Sequence, residues 1–365
     1  MPKLAKIILV FFKCKFDFKK VKNEKLLLFD SLSLELASKF KKFEILDIGY
    51  KCFNFWLLLE NFLNLKFTFK DYILAFISKV NPKVVLTFYD NYLFFYELKN
   101  YFPEIKFIAV QNGFRHKFEL DNYKKHKNKR LFVDYLFTFG KNSDIFYKKF
   151  LRCNNFIHFG SFRNNNIKLK GSSEKKNILF ISTFTLHGYL HKNDNYNVTN
   201  KIIKILNIFC EKKKIKLFIA GTSMKNYLTE KNFLLSKLPK KHNVLVVRRK
   251  SQYGNYSLIN KFETIVFDDS TLGYEAIARK KKIVAIPCRK NIIPFGPFGF
   301  PTIKSNKSFF FTNVGTEKEI FRVLNNVYHL PKKKWLKNYQ KKLNVFMSFN
   351  KDNIRLKKTI NKLIN

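Results

Sequence analysis

Short apolar runs alternate with stretches that carry apolar residues every three or four positions along almost the whole chain. "KIILVFF" opens it as a strand candidate, and "NEKLLLFDSLSLELASKF" follows with the spacing of an amphipathic helix. "FEILDIG", "KVVLTFYD", "KFIAVQNG" and "VDYLFTFG" are predicted strands. "DYILAFISKVNP" and "NYLFFYELKNYFP" are predicted helices that run up to a proline. The alternation breaks near Phe159, where "FGSFRNNNIKLKGSSEKK" is polar and rich in Asn, Gly and Ser. That stretch reads as a linker over residues 161–176. Strands "NILFIST", "IKLFIAGTS", "NVLVVRR", "TIVFDD" and "KIVAIP" then recur with helical patterns between them.

Two blocks of strand–helix alternation predict an α/β chain of two doubly wound, Rossmann-like domains, at residues 1–160 and 177–330. Residues 331–365, helical in pattern and very basic, are expected to return to the first domain. Ligands of such a fold bind outside the carboxyl ends of the strands, here in a cleft between the domains, so residues just after strands are the ones to search.

Composition changes this picture little. A hydrophobic content of 46% over 365 residues supplies two cores. The net charge of +45 favours polyanions: nucleic acid, anionic lipid or nucleotide phosphate. The same lysines, with 44 Phe and abundant Asn and Ile, are also what an AT-rich coding sequence produces. They are spread along the chain with no helix-turn-helix, RRM or zinc signature, which disfavours a nucleic-acid-binding protein. Cys14, Cys52, Cys153, Cys210 and Cys288 show neither disulfide nor metal spacing, so a reducing, cytoplasmic setting without a metal site is expected. The apolar run "IILVFF" is far short of the ~20 residues that span a bilayer. The chain is therefore expected to be soluble, or peripheral on the inner face of the cytoplasmic membrane.

The chemistry concentrates in "VFDDSTLGYEAIARKKKIVAIP". Ser270 and Thr271 stand at a strand-to-helix junction. They either cap the helix or mark an anion site, because free N–H groups and the macrodipole both favour a phosphate there. Gly273 would let a ligand approach the backbone. Glu275, four residues after Thr271, could accept hydrogen bonds from vicinal ribose hydroxyls.

"DDSTLGYEAIARKKKIVAIP" resembles the donor-nucleotide segment of GT-B glycosyltransferases. The longer "SLINKFETIVFDDSTLGYEAIARKKKIVAIP" is similar to bacterial surface-carbohydrate (capsule and lipopolysaccharide) biosynthesis proteins, as are "VVLTFYDN", "IAVQNGFR", "YLFTFGKNSDIFYKKF" and "FGSFRNN". Where such families usually carry a helix-ending glycine, this chain has Lys280, Lys281 and Lys282. The resemblance implies a metal-independent glycosyltransferase without a cofactor, moving sugar from a nucleotide-sugar donor to a glycan or lipid-linked acceptor. Further donor-side candidates are Ser182, Thr183, His187, Gly221, Thr222 and Arg248, with Arg249 beside it. On the acceptor side, Asp90 or His116 would be the general base, and Gln111, Asn112 and Arg115 would line the site. The loop "NIIPFGPFGFPTI" could close over the cleft or simply pack, and Trp335, Phe346 and Phe349 could touch an anionic membrane. A polyol-phosphate transferase shares the donor site. A 2-epimerase shares the fold, although "STFTLHGYLHKND" lacks that class's Thr-x-His-Arg-x-Glu-Asn signature.

Overall fold

The computed structural model describes residues 14–365 apart from 38, 50–51, 67, 127–129, 187–194, 237, 239–241 and 289–296. Strands β1 (Lys15–Asp17), β2 (Leu26–Phe29), β3 (Glu44–Leu46), β4 (Cys52–Asn54), β5 (Val84–Thr87), β6 (Lys106–Val110), β7 (Phe132–Thr138) and β8 (Arg152–His158) come first. Six of them form one parallel sheet in the order β3-β2-β5-β6-β7-β8, while β1 and β4 pair separately. Strands β9 (Glu174–Ile181), β10 (Leu217–Ala220), β11 (Val244–Val247), β12 (Phe262–Phe267) and β13 (Lys282–Ala285) form a second parallel sheet, ordered β11-β10-β9-β12-β13.

The run "LLLF" shows why the strands look continuously apolar. Leu27 and Phe29 enter the core on one face of the first sheet, and Leu26 and Leu28 the core on the other. A parallel sheet covered on both faces needs apolar residues at every position. The helical spacing of "NEKLLLFDSLSLELASKF" was therefore misleading: its first half is β2, and only Ser31–Ser33 and Leu34–Ala37 are helical. The pairing β1–β4, strand β8 and the helix Phe55–Leu63 had no clear alternation to mark them. "KIILVFF" lies almost wholly outside the described residues.

Across 161–176 the chain is ordered. Ser161, Phe162, Asn164 and Asn165 are buried, Phe162–Asn165 is a turn of helix, and β9 begins at Glu174. Gly160 sits at φ +82, where an added Cβ would meet the Ser348 carbonyl oxygen at 2.1 Å, so the crossing strand admits only glycine there. The C-terminal segment divides its contacts. Trp335, Leu343, Phe346 and Met347 belong to the second domain's core, and Leu356 and Ile360 of the helix Ile354–Ile364 pack on the first sheet. Trp335 and Phe346 are buried and Phe349 is half-buried, so they do not form an exposed membrane-facing surface. Likewise Phe298 of the Pro/Gly/Phe loop is buried, and the Phe300 carbonyl accepts a hydrogen bond from Asn142 at 2.8 Å. The described part of that loop packs between the domains.

The lysine run is mostly interior. Lys281 donates to the Asn260 carbonyl at 2.7 Å and Ser172 at 2.8 Å, and its burial pushes its pKa down to about 8. Lys282 pairs with Glu263 at 3.0 Å and donates to the carbonyls of Tyr328 and Leu330. Only Lys280 is exposed, and it holds the left-handed conformation at φ +57 that a helix-ending glycine would take without strain. Lys280→Gly is therefore expected to raise the unfolding free energy by about 0.5–1 kcal/mol, left-handed strain relieved minus glycine's extra unfolded-state entropy. The urea midpoint should rise at unchanged m-value.

Candidate active site between the domains

In the second sheet the strand order reverses between β9 and β12, and the loops after these two strands meet: Thr183 donates to Asp268 at 3.2 Å. The helix Thr271–Ala278 starts there. Ser270 is its N-cap by backbone geometry but makes no side-chain capping bond. Among the described residues no hydrogen bond takes up the N–H groups of Thr271 and Leu272, while that of Gly273 goes to the Ser270 carbonyl at 2.9 Å. A row of free donors at the positive end of a helix is suited to an anion.

The loop after β6 comes across from the first domain to this helix end. The Phe114 N–H donates to the Thr271 hydroxyl at 3.0 Å, and the Phe114 ring stacks on Tyr274 at 3.8 Å with 7° between planes. Two residues on, His116 Nδ1 lies 3.5 Å from Asp269 Oδ1. A first-domain imidazole thus faces a second-domain carboxylate immediately before Ser270. Such a pairing fixes the ring's orientation and stabilises the imidazolium that proton abstraction creates.

Asp90 has a different part from the one its sequence position suggests. It is buried, and its carboxylate accepts from the Arg115 guanidinium at both oxygens, from the Tyr147 hydroxyl and from the Asn112 N–H at 3.0 Å. A carboxylate so occupied anchors the loop. It does not cap the following helix, whose N-cap is Tyr92. Gln111, Asn112 and Arg115 turn inward in the same way. Gln111 bonds Gly113 and Phe139, Asn112 the Phe88 carbonyl, and Arg115 also Glu119 at 3.0 Å. Together they build the loop that carries Phe114 and His116.

Gly273 is also corrected. A Cβ there would lie 2.1 Å from the Phe267 ring, so the missing side chain makes room for helix-on-strand packing and not for a ligand. Glu275 is buried and accepts from the Tyr256 hydroxyl at 3.0 Å, with Ser161 as a second partner. Burial outweighs these bonds and pushes its pKa up to about 7. Nearby, Arg163 binds both oxygens of Glu35, which also accepts from Gln252 at 2.9 Å, a second tie across the seam.

The remaining donor-side candidates separate. Ser182 and Thr222 surround Glu230, a buried carboxylate that the sequence reading missed. It accepts from the Ser182 hydroxyl at 2.9 Å, from the Thr222 N–H at 2.9 Å and from the Ser223 N–H at 2.9 Å. Gly221 lies against the same carboxylate. This loop's donors already hold an internal anion. Arg248 is exposed over Tyr227 and donates to the Met224 carbonyl, whereas Arg249 folds back onto the carbonyls of Ser251 and Gln252. His187 lies outside the described residues. A second missed residue is Asp30, just after β2. It sits at φ +104, with the Thr87 hydroxyl on its carboxylate at 2.8 Å and burial pushing its pKa up to about 6. A non-glycine residue in that region marks strain held in place at the first domain's own switch point.

The family described as "putative O-antigen biosynthesis protein" matches residues 108–364. No curated protein matches. Among solved structures, the UDP-GlcNAc 2-epimerase from Methanocaldococcus jannaschii in complex with UDP-GlcNAc and UDP is similar at 14% identity and TM-score 0.54, over 93% of this chain and 99% of that one. Sucrose-phosphate synthase from Thermosynechococcus elongatus is similar at 9% identity and TM-score 0.54, over 94% and 99%. These likenesses establish the fold as two Rossmann-type domains of GT-B-like arrangement.

Glu275 makes one measurable statement. Its folded-state pKa lies above the ordinary 4.5, so the folded chain holds a proton that the unfolded chain releases. Its contribution is full below about pH 4.5 and is lost as pH rises through about 7, on the order of 3 kcal/mol in all. Glu275→Gln is expected to flatten that part of the stability-versus-pH curve, as followed by urea unfolding between pH 4.5 and 8.

Proposed function

The chain belongs to the O-antigen biosynthesis family, and on that premise we propose that it is a glycosyltransferase taking sugar from a nucleotide-activated donor to a cell-surface glycan or lipid-linked precursor. The observation that carries this reading is the placement of His116 against Asp269 at the unfilled N-terminus of the helix Thr271–Ala278. The donor diphosphate would lie on the N–H groups of Thr271 and Leu272, with the Ser270 and Thr271 hydroxyls beside it. An acceptor hydroxyl held near His116 would attack the anomeric carbon, the new carbon–oxygen bond forming as the bond to the diphosphate breaks. His116 takes the acceptor's proton and Asp269 stabilises the resulting imidazolium. The helix N-terminus meets the charge that grows on the departing diphosphate, so this step draws on no metal ion or cofactor. Glu275 reaches a ribose only if Ser161 and Tyr256 move aside, which would couple donor binding to relative movement of the domains.

No helix among the described residues is long and apolar enough to cross a membrane. Attachment to the inner face of the cytoplasmic membrane belongs to the proposal, because a lipid-linked acceptor would be met there.

His116→Ala is expected to lower turnover by about 10²–10⁴-fold with donor binding retained. Asp269→Asn should lower turnover as well and move the acidic limb of the pH–rate profile, the limb set by protonation of a general base, to lower pH. The check is product formation from nucleotide sugars with and without acceptor, alongside donor-induced thermal shifts. Epimerised donor in the absence of acceptor would assign the chain to epimerases instead, and turnover of a CDP-linked polyol would assign it to polyol-phosphate transferases. If no nucleotide sugar raises the melting temperature, the donor site proposed at Ser270 and Thr271 is wrong.

A further inference from the structure

The helix Phe55–Leu63 is apolar on its outward face as well as its inward one. A surface helix ordinarily turns its apolar stripe to the core and its polar residues to water. Here Leu57 and Asn61 are buried and Leu58 packs half-buried on the first domain's core, and among the described residues the buried Asn61 side-chain amide nitrogen has no hydrogen-bond partner. Outward, at spacing i, i+3, i+7, stand Trp56, Leu59 and Leu63, with Phe62 beside them; Phe62 is 63% exposed and Leu63 74%. Glu60 is the helix's only charge and is paired with Lys79 at 3.5 Å.

The patch extends beyond the helix at both ends. Trp56 donates its indole N–H to the Phe18 carbonyl at 2.7 Å, and the exposed Phe18 ring lies 5.0 Å from that of Phe55. After the helix, the Lys66 N–H closes on the Asn61 carbonyl at 2.8 Å and leaves Leu65 in the left-handed conformation at φ +56. Helices normally place glycine there. Leu65 is 79% exposed, so this leucine adds backbone strain without adding to the core. Selection for folding does not explain it.

The rim is basic. Lys19 and Lys20 follow Phe18, Lys66 follows Leu65, and all three are exposed, while the neighbouring Asp17 accepts the Lys19 N–H at 3.0 Å. We propose that this face of the first domain is a membrane-docking surface. Trp56, Phe62, Leu63 and Leu65 would enter the interfacial region of an anionic lipid bilayer, and Lys19, Lys20 and Lys66 would meet its phosphate headgroups. The choice of occupant rests on charge complementarity, since an apolar patch with exposed lysines at both ends, on a chain of net charge +45, matches an anionic surface and repels a second copy of itself. The inference names the surface by which the attachment proposed above would occur, and its test uses no nucleotide sugar, so its failure leaves the transferase reading standing.

The experiment is co-sedimentation with phosphatidylcholine vesicles, with and without about one-third phosphatidylglycerol, at rising salt. The intact chain is expected to bind the anionic vesicles and to release as salt rises. Trp56 emission should shift to the blue on binding, because the only other tryptophan, Trp335, is already buried. Leu63→Ser with Leu65→Gly should weaken vesicle binding about tenfold or more at unchanged melting temperature; Leu65→Gly alone should be at least as stable as the parent. Absence of vesicle binding, or equal binding by the folded double variant, overturns the proposal. So does self-association in sedimentation equilibrium that the double variant abolishes, since the face would then join two copies of the chain.

Discussion

The stacking of Phe114 on Tyr274 is the contact on which the cleft depends. Each ring belongs to a different sheet's carboxyl-end loop or helix, and near-parallel contact fixes two such elements in translation and in rotation. His116 lies two residues from one ring, and Asp269 and Thr271 lie just ahead of the other. Phe298 continues the stack on the far side of Tyr274, and Phe346 packs on Phe298, so the C-terminal segment buttresses the same column. The second domain's core even includes Phe114 and Phe139 of the first. Polar bonds accompany this apolar column, including those of Arg163 with Glu35 and of Arg279 with Asn164.

Much of the fold was legible because parallel sheets write themselves as short apolar runs. "KVVLTFYD", "TIVFDD" and "KIVAIP" each became a buried strand at its expected place. "LLLF" was misread because four apolar residues fit either period. At the site, the junction at Ser270 and Thr271 and the imidazole of His116 were visible as residue types at strand ends. Their mutual approach was not, since it joins residues about 150 apart through a domain packing that no local pattern encodes. Asp90, Ser182 and Thr222 show the opposite failure. They stand where ligand-binding residues stand, and partners elsewhere in the chain, Arg115 for the first and Glu230 for the other two, claim their hydrogen bonds. Sequence position names the candidates, and tertiary partners decide which remain available.

The lysines also divide by environment. Lys281 and Lys282 tie strand, helix and loop together from inside by donating to backbone carbonyls, a use that needs a long flexible stem more than a charge. Lys19, Lys20 and Lys66 stand at the two ends of an apolar helix face on the first domain. Residues of one type, abundant for whatever reason, have been sorted by the fold into fasteners and surface charge.

Glu230 carries a consequence for how the cleft treats negative charge. The loop after β10 offers backbone N–H groups to an anion that is covalently part of the protein and cannot diffuse away. Toward any second anion that loop acts as a fender, repelling what it would otherwise cradle. A donor diphosphate, as proposed above, would be turned from the β10 side toward the helix at Thr271, beside His116. On the proposed reading the cleft would therefore have a polarity, sorting a long, charged ligand end from end before it makes a single specific contact.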